Sequence, residues 1–276
     1  MYLLSKISST SLLFAALCLA ACQQNDDPTP DPTPQPEPYT VSGTVVDTQG
    51  NPMAGIKVRA DDEALYGSLS VTTDANGHYQ MPRMTLGGWK IYAWKEVRFN
   101  GKTYHLRLGM PHEQDYDAFS PGQAGEVRDF VWKLSGIIPD RTRSDDSPAG
   151  YFGGTIFFSN FTSDWEPLPA GAQVTVTFTP ETGATLFDGS APQPLQKSFT
   201  IEREETFYYL HDIPQSIYRI SATCTHNGVT KNLQLTDTFD ENWGPALEHF
   251  YFRSADGISY ENGMQSRSMP YFMKLE

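Results

Sequence analysis

From Tyr39 onward, apolar and polar positions alternate in short runs broken by Gly, Asn, Asp and Pro. A period of two is the mark of half-buried strands, not of helices. Val41, Gly43 and Val45 alternate with Ser42, Thr44 and Val46, and Asp47-Thr48-Gln49-Gly50-Asn51-Pro52 reads as a turn. Ile56 and Val58 begin the next strand, and Asp74-Ala75-Asn76-Gly77 is a turn ahead of His78-Tyr79-Gln80-Met81. The strongest hairpin signal is Asn100-Gly101, because this pair tolerates the positive φ angles of a type I′ turn. It joins residues 88–99 to residues 102–109.

A two-residue turn there fixes what faces what. Ala93 falls opposite Leu108, Lys95 opposite Leu106 and Val97 opposite Tyr104, a mostly apolar face that with Trp89 and Ile91 is the expected core side. The other face carries Tyr92, Trp94, Glu96 and Arg98, with Arg107 opposite Trp94 and His105 opposite Glu96. Flat rings flanked by polar groups suit a sugar or a peptide, and a Trp94–Arg107 pair suggests a cation–π contact. The competing expectation is that Tyr92 and Trp94 are covered by the long 110–128 loop or by the second half of the chain.

The second half repeats the pattern of the first. Gly43-Thr44-Val45 matches Gly154-Thr155-Ile156, and Ala54-Gly55-Ile56-Lys57-Val58 matches Ala170-Gly171-Ala172-Gln173-Val174. Asn100-Gly101 recurs at Asn227-Gly228, and Phe130-Val131-Trp132-Lys133 matches Phe250-Tyr251-Phe252-Arg253, all in the same order. A duplication is expected; the alternative is two unrelated β-domains sharing turn chemistry. The predicted organisation is a leader (1–21), an anchored Pro-rich segment (22–39), a β-sandwich (40–136), a polar linker (137–150) and a second sandwich (151–276). Each sandwich is long enough to bury a two-sheet core without disulfides.

The leader has Lys6 ahead of a short apolar stretch, Leu12 to Ala21, that ends in small residues, as in an export signal. Leu19-Ala20-Ala21-Cys22 resembles the lipobox of bacterial lipoproteins, which implies that Cys22 is the lipidated first residue of the mature chain. The apolar run is too short to span a bilayer, whereas acyl chains can hold a protein to one. The alternative is an ordinary signal peptide with an accidental cysteine. Gln23-Gln24-Asn25-Asp26-Asp27 is similar to the acidic surface-export signals of some Gram-negative lipoproteins, so outer-membrane, surface-exposed display is the expected address. The stretch PTPDPTPQPEP at 28–38 should be an extended stalk.

The segment VSGTVVDTQGNPMAGIKVRA followed by TTDANGHYQM resembles the carboxypeptidase regulatory-like family. The resemblance covers about residues 40–136 and implies a transthyretin-like β-sandwich. Such domains are accessories of some zinc carboxypeptidases, not the catalytic part. The expected fold is therefore all-β: two tandem transthyretin-like or immunoglobulin-like β-sandwiches after a lipoprotein signal and a Pro-rich stalk.

Composition narrows the function. A net charge of −13 speaks against nucleic acid, which needs a phosphate-neutralising surface. Of three cysteines, Cys18 leaves with the leader and Cys22 would be lipidated, so Cys224 has no intramolecular partner and is expected as a buried thiol. None of the six histidines has Glu three residues on, as a carboxypeptidase zinc site requires, and HExxH and GxSxG are absent. An enzyme is not expected, nor a cofactor. Glu113, Asp115, Asp117 and Glu126 offer hard oxygen ligands and form a weak calcium candidate, without EF-hand spacing. Two functions survive: a surface module binding a glycan or a protein, and a structural spacer. No further domain after residue 276 offers itself for a spacer to hold, which favours the first.

Overall fold

The computed structural model describes residues 37–143, 150–160, 166–203, 206–239, 241–254, 266–267 and 270–276. The leader, Cys22, most of the stalk and residues 144–149 lie outside them. The fold is all-β, two successive sandwiches, and the helical element among the described residues is a single 3-10 turn at Glu113–Tyr116. The first half contains β1 (Val41–Val46), β2 (Lys57–Asp62), β3 (Ser68–Thr72), β4 (His78–Gln80), β5 (Trp89–Phe99), β6 (Lys102–Arg107), β7 (Glu126–Val127) and β8 (Phe130–Val131). The second contains β9 (Gly154–Ser159), β10 (Gln173–Pro180), β11 (Leu195–Thr200), β12 (Phe207–Ile213), β13 (Tyr218–His226), β14 (Val229–Thr236), β15 (Leu247–Phe250), β16 (Arg253–Ser254), β17 (Ser266–Arg267) and β18 (Pro270–Leu275).

In the first half one sheet runs β4-β1-β7, with β8 also on β1, and the other runs β3-β2-β5-β6. Alternation works as expected: Val41 and Val45 of β1 and Val58 and Ala60 of β2 are fully buried between the sheets. At Asn100-Gly101 both residues take positive φ, 47° and 71°, which makes the tight hairpin. Trp94 pairs with Arg107, Lys95 with Leu106 and Glu96 with His105, the register read from the sequence.

The same pairings recur in the second half. β1 is antiparallel to β4 and parallel to β7 and β8; β9 is antiparallel to β12 and parallel to β18. β2 pairs with β3 and β5, and β5 with β6, as β10 pairs with β11 and β13, and β13 with β14. Even the closure between sheets corresponds. A bridge joins Gly109 to Val131 in the first half, and β14 pairs with β18 in the second.

Three of the four sequence matches fall on corresponding strands or turns; the fourth does not. Phe130 lies in β8, parallel to β1, whereas Phe250 ends β15, which pairs antiparallel with β13. The strand in the place of β8 is β18. An alternating aromatic run marks any half-buried strand, whatever its partner, so this match carried no positional information.

Cys224 is buried in the second core with Ala222, Leu233 and Leu235, and burial pushes its thiol up from the ordinary range. The two cores meet across a seam. Phe187 from the β10–β11 loop packs edge-on against Phe99, with centroids 5.1 Å apart, and against Tyr104 at 5.0 Å. The Tyr104 hydroxyl donates to the carbonyl of Phe252.

Candidate functional site

The aromatic face of the β5–β6 hairpin was the first candidate, and half of it is interior. Tyr92 is 6% exposed, Trp94 8% and Arg107 2%, so they form no platform for a ligand. Its covers are the 110–128 loop and the start of the linker. Tyr116 sits under the Arg107 guanidinium, 5.6 Å from its centroid, and its hydroxyl accepts the Met110 N–H at 2.8 Å. Arg107 lies over the Tyr92 ring at 4.9 Å, and its Nη2 reaches Asp140 Oδ2 at 2.9 Å. Arg107 thus makes cation–π contacts with Tyr92 on one strand and with Tyr116 of the covering loop. Glu96 and Arg98 remain at the surface and His105 is half-buried. Lys57 donates to Glu96 at 2.8 Å and holds its carboxyl below the ordinary range, with His105 3.8 Å away. What is left exposed is a small charged group on an edge hairpin.

The four acidic residues of the calcium candidate are not brought together. Asp115 accepts the backbone N–H of His112, and Glu126 is paired with Arg128. Among the described residues no three His, Cys, Asp or Glu side chains gather to hold a metal ion.

Two groupings were not legible in the strand pattern. The first is at the seam. Asp188 accepts from Thr48 Oγ1 at 2.6 Å, across the two halves, and from Ser190 Oγ at 2.6 Å. Burial raises this carboxyl, but the bonds from Ser190, Thr48 and Gln49 outweigh it and hold it below the ordinary value. Nearby, the Lys95 ammonium lies 4.1 Å above the Trp132 ring; burial lowers this ammonium, with Asp47 opposing. Lys95 was expected on a core face, and it is: the stem crosses the core edge and the charge ends on an aromatic face.

The second grouping is a row of aromatic rings on the outer face of the β12–β9 pair. Ile156, Phe158, Tyr208 and Leu210 point into the core, so Phe157, Phe207, Tyr209 and His211 point out. Tyr151 stacks on His211 with centroids 4.8 Å apart, and Phe157 stacks on Tyr209 at 5.1 Å. Phe207 closes the row edge-on to Phe157 at 5.5 Å and is 43% exposed. Thr155 Oγ1 fixes the His211 ring through Nδ1 at 3.0 Å. The period-two pattern hid this row, because β12 is aromatic on both faces.

Residues 40–115 match the carboxypeptidase regulatory-like domain. Over 85 residues the chain is 39% identical to Structural protein 27 of a virus (isolate Australia/Victoria), a match covering 27% of this chain and 15% of the viral protein. Among solved structures, the chain resembles the TIE protein of Bacillus anthracis at 9% identity and a TM-score of 0.30, over 86% of this chain and 34% of that one. It also resembles a putative cell adhesion protein from Bacteroides ovatus ATCC 8483, at 8% identity and a TM-score of 0.26, over 88% and 96% of the two chains. The chain thus spans well under two thirds of the viral relative and of the Bacillus protein.

Proposed function

We propose that the chain is a non-catalytic envelope lipoprotein of a Gram-negative bacterium, held to the outer membrane by acyl chains on Cys22. In this reading it displays two β-sandwiches to bind a glycan or a protein at the cell surface. The second sandwich is a duplicate of the first, a reading supported by the recurring strand pairings and by three ordered sequence matches. The observation that carries the binding role is the outward row Tyr151, His211, Tyr209, Phe157 and Phe207. Aromatic side chains offer large contact area with little conformational entropy to lose, which is why such surfaces serve recognition.

The spacer reading has one observation in its favour. The Phe187 and Tyr104–Phe252 contacts tie the halves together, as a rod would need. The aromatic row is superfluous to a rod, so binding is the reading we adopt.

Two experiments test it. In a detergent-phase partition, wild-type protein should enter the detergent and Cys22→Ser should not; equal partition removes the anchor. Glycan and protein arrays probed with the Cys22→Ser chain should show saturable capture, and arrays without a specific hit would sink the binding role.

A further inference from the structure

At one end of the first sandwich, two loops hold three large apolar side chains out in solvent. Leu65 is 73% exposed, Tyr66 95% and Leu86 71%. The topology puts them together. β2 ends where β5 begins, with Asp62 opposite Trp89, so the β2–β3 turn lies beside the end of the β4–β5 loop. The Glu63 N–H donates to the Gly88 carbonyl at 3.0 Å and ties the two loops.

The turn is built to present its tip. The buried Asp62 carboxylate accepts the N–H groups of Ala64 and Leu65 at 2.8 and 2.9 Å, and the Asp62 N–H donates to Gly67 O at 2.8 Å. Tyr66 takes φ +55°, a left-handed conformation costly for a bulky residue. A tyrosine held strained and almost wholly in water contributes nothing to the core. Its place makes sense only if something else receives it.

What receives it follows from where the chain comes in. β1 starts at Val41 and pairs with the end of β4, Ser42 opposite Gln80, so the β4–β5 loop leaves from the end at which the stalk arrives. The Met84 N–H donates to Tyr39 O at 2.8 Å, and the Arg83 guanidinium lies 4.5 Å over the Tyr39 ring. From Cys22 to Tyr39 the Pro-rich segment reaches roughly 53 Å as a polyproline-like chain and at most about 60 Å fully extended. This is the furthest separation from an anchor, not the resting one.

We propose that Leu65, Tyr66 and Leu86 form a tip that enters the interfacial layer of the lipid bilayer to which the chain is tethered. The inference rests on the Cys22 anchor of the proposed function and adds a second contact to it. Leucine supplies the apolar part, and tyrosine is suited to the headgroup boundary, with an apolar body and a polar hydroxyl. Lipid attachment is firmest with two signals, and an apolar tip that partitions into a bilayer by itself is a second one beside the acyl chains. Charges beside the tip are mixed, with Lys90 3.7 Å from Glu63, so the contact needs no anionic lipid.

The test uses the full Cys22→Ser chain, which has no acylation site, and phosphatidylcholine vesicles with and without phosphatidylglycerol. The chain should sediment with both, and Leu65→Ser/Leu86→Ser should weaken partitioning by about tenfold or more. Independently, Tyr66→Trp should shift its emission to the blue on addition of vesicles. No sedimentation and no shift would overturn the tip, as would binding confined to anionic vesicles or unchanged by the leucine substitutions. Loss of protein capture in place of vesicle binding would assign the tip to a protein partner and equally overturn the lipid contact. If the tip fails while detergent partition still depends on Cys22, the anchor stands alone; if partition ignores Cys22, the anchor has failed on its own test.

Discussion

Arg107 and Asp140 form an ion pair at 2.9 Å in which the arginine side chain is almost wholly removed from water. The pair staples the start of the linker over the outer face of β5, and this turns a predicted recognition face into an inner layer. A buried pair is costly to break from one side, because the remaining charge is left without compensation.

Arg107→Ala should therefore destabilise the fold by about 3–5 kcal/mol in urea unfolding. Trp94→Ala, which empties a large buried volume on the same face, should cost about 3–5 kcal/mol as well. Neither should act through a ligand. Near-normal stability of Trp94→Ala would mean the ring is a surface group after all.

Asp212 joins the two halves of the chain. It sits at φ 60° in the irregularity of β12, and its carboxylate accepts the N–H of Gly136 at 2.8 Å and of Gly153 at 3.1 Å. Asp212→Ala leaves both donors without their acceptor and puts alanine in a left-handed conformation; a loss of about 2–4 kcal/mol is expected. Trypsin should then cut more readily after Arg141 or Arg143. Unchanged melting and unchanged cleavage would show that the carboxylate does not hold this junction.

Asp188 gives the seam a pH dependence with a definite sign. Its folded carboxyl titrates below the ordinary 3.8, so the stability it contributes is fully present above that value and lost as pH falls through the folded one. The stability gap between wild type and Asp188→Asn should be constant near neutrality and should narrow below about pH 4. A gap that widens on acidification would mean the carboxyl is raised, not lowered, in the folded protein.

Much of the fold was legible because its signals are local. Asn100-Gly101 dictates its own turn, and the turn dictates that Trp94 meets Arg107 and Lys95 meets Leu106. What lies above a strand is not local. Nothing in the alternation of β5 tells that Tyr116 and Asp140 will close over Arg107, since both faces of a central strand can be covered. The row on β12 was missed for the opposite reason: Phe207, Tyr208 and Tyr209 are consecutive aromatics, and alternation distinguishes faces only when one of them is polar. The tip escaped notice because Leu65 and Tyr66 sit in a turn held by Asp62, and their exposure depends on a backbone angle, not on composition.

The binding role of the row on β9 and β12 is tested most directly by affinity for a ligand captured on the arrays. Phe157→Ala/Tyr209→Ala, with Trp94→Phe as a control on the covered face, should bind at least about tenfold more weakly while the melting temperature stays close to that of the parent. Equal affinity in the parent and the double variant, with both proteins folded, would contradict the account.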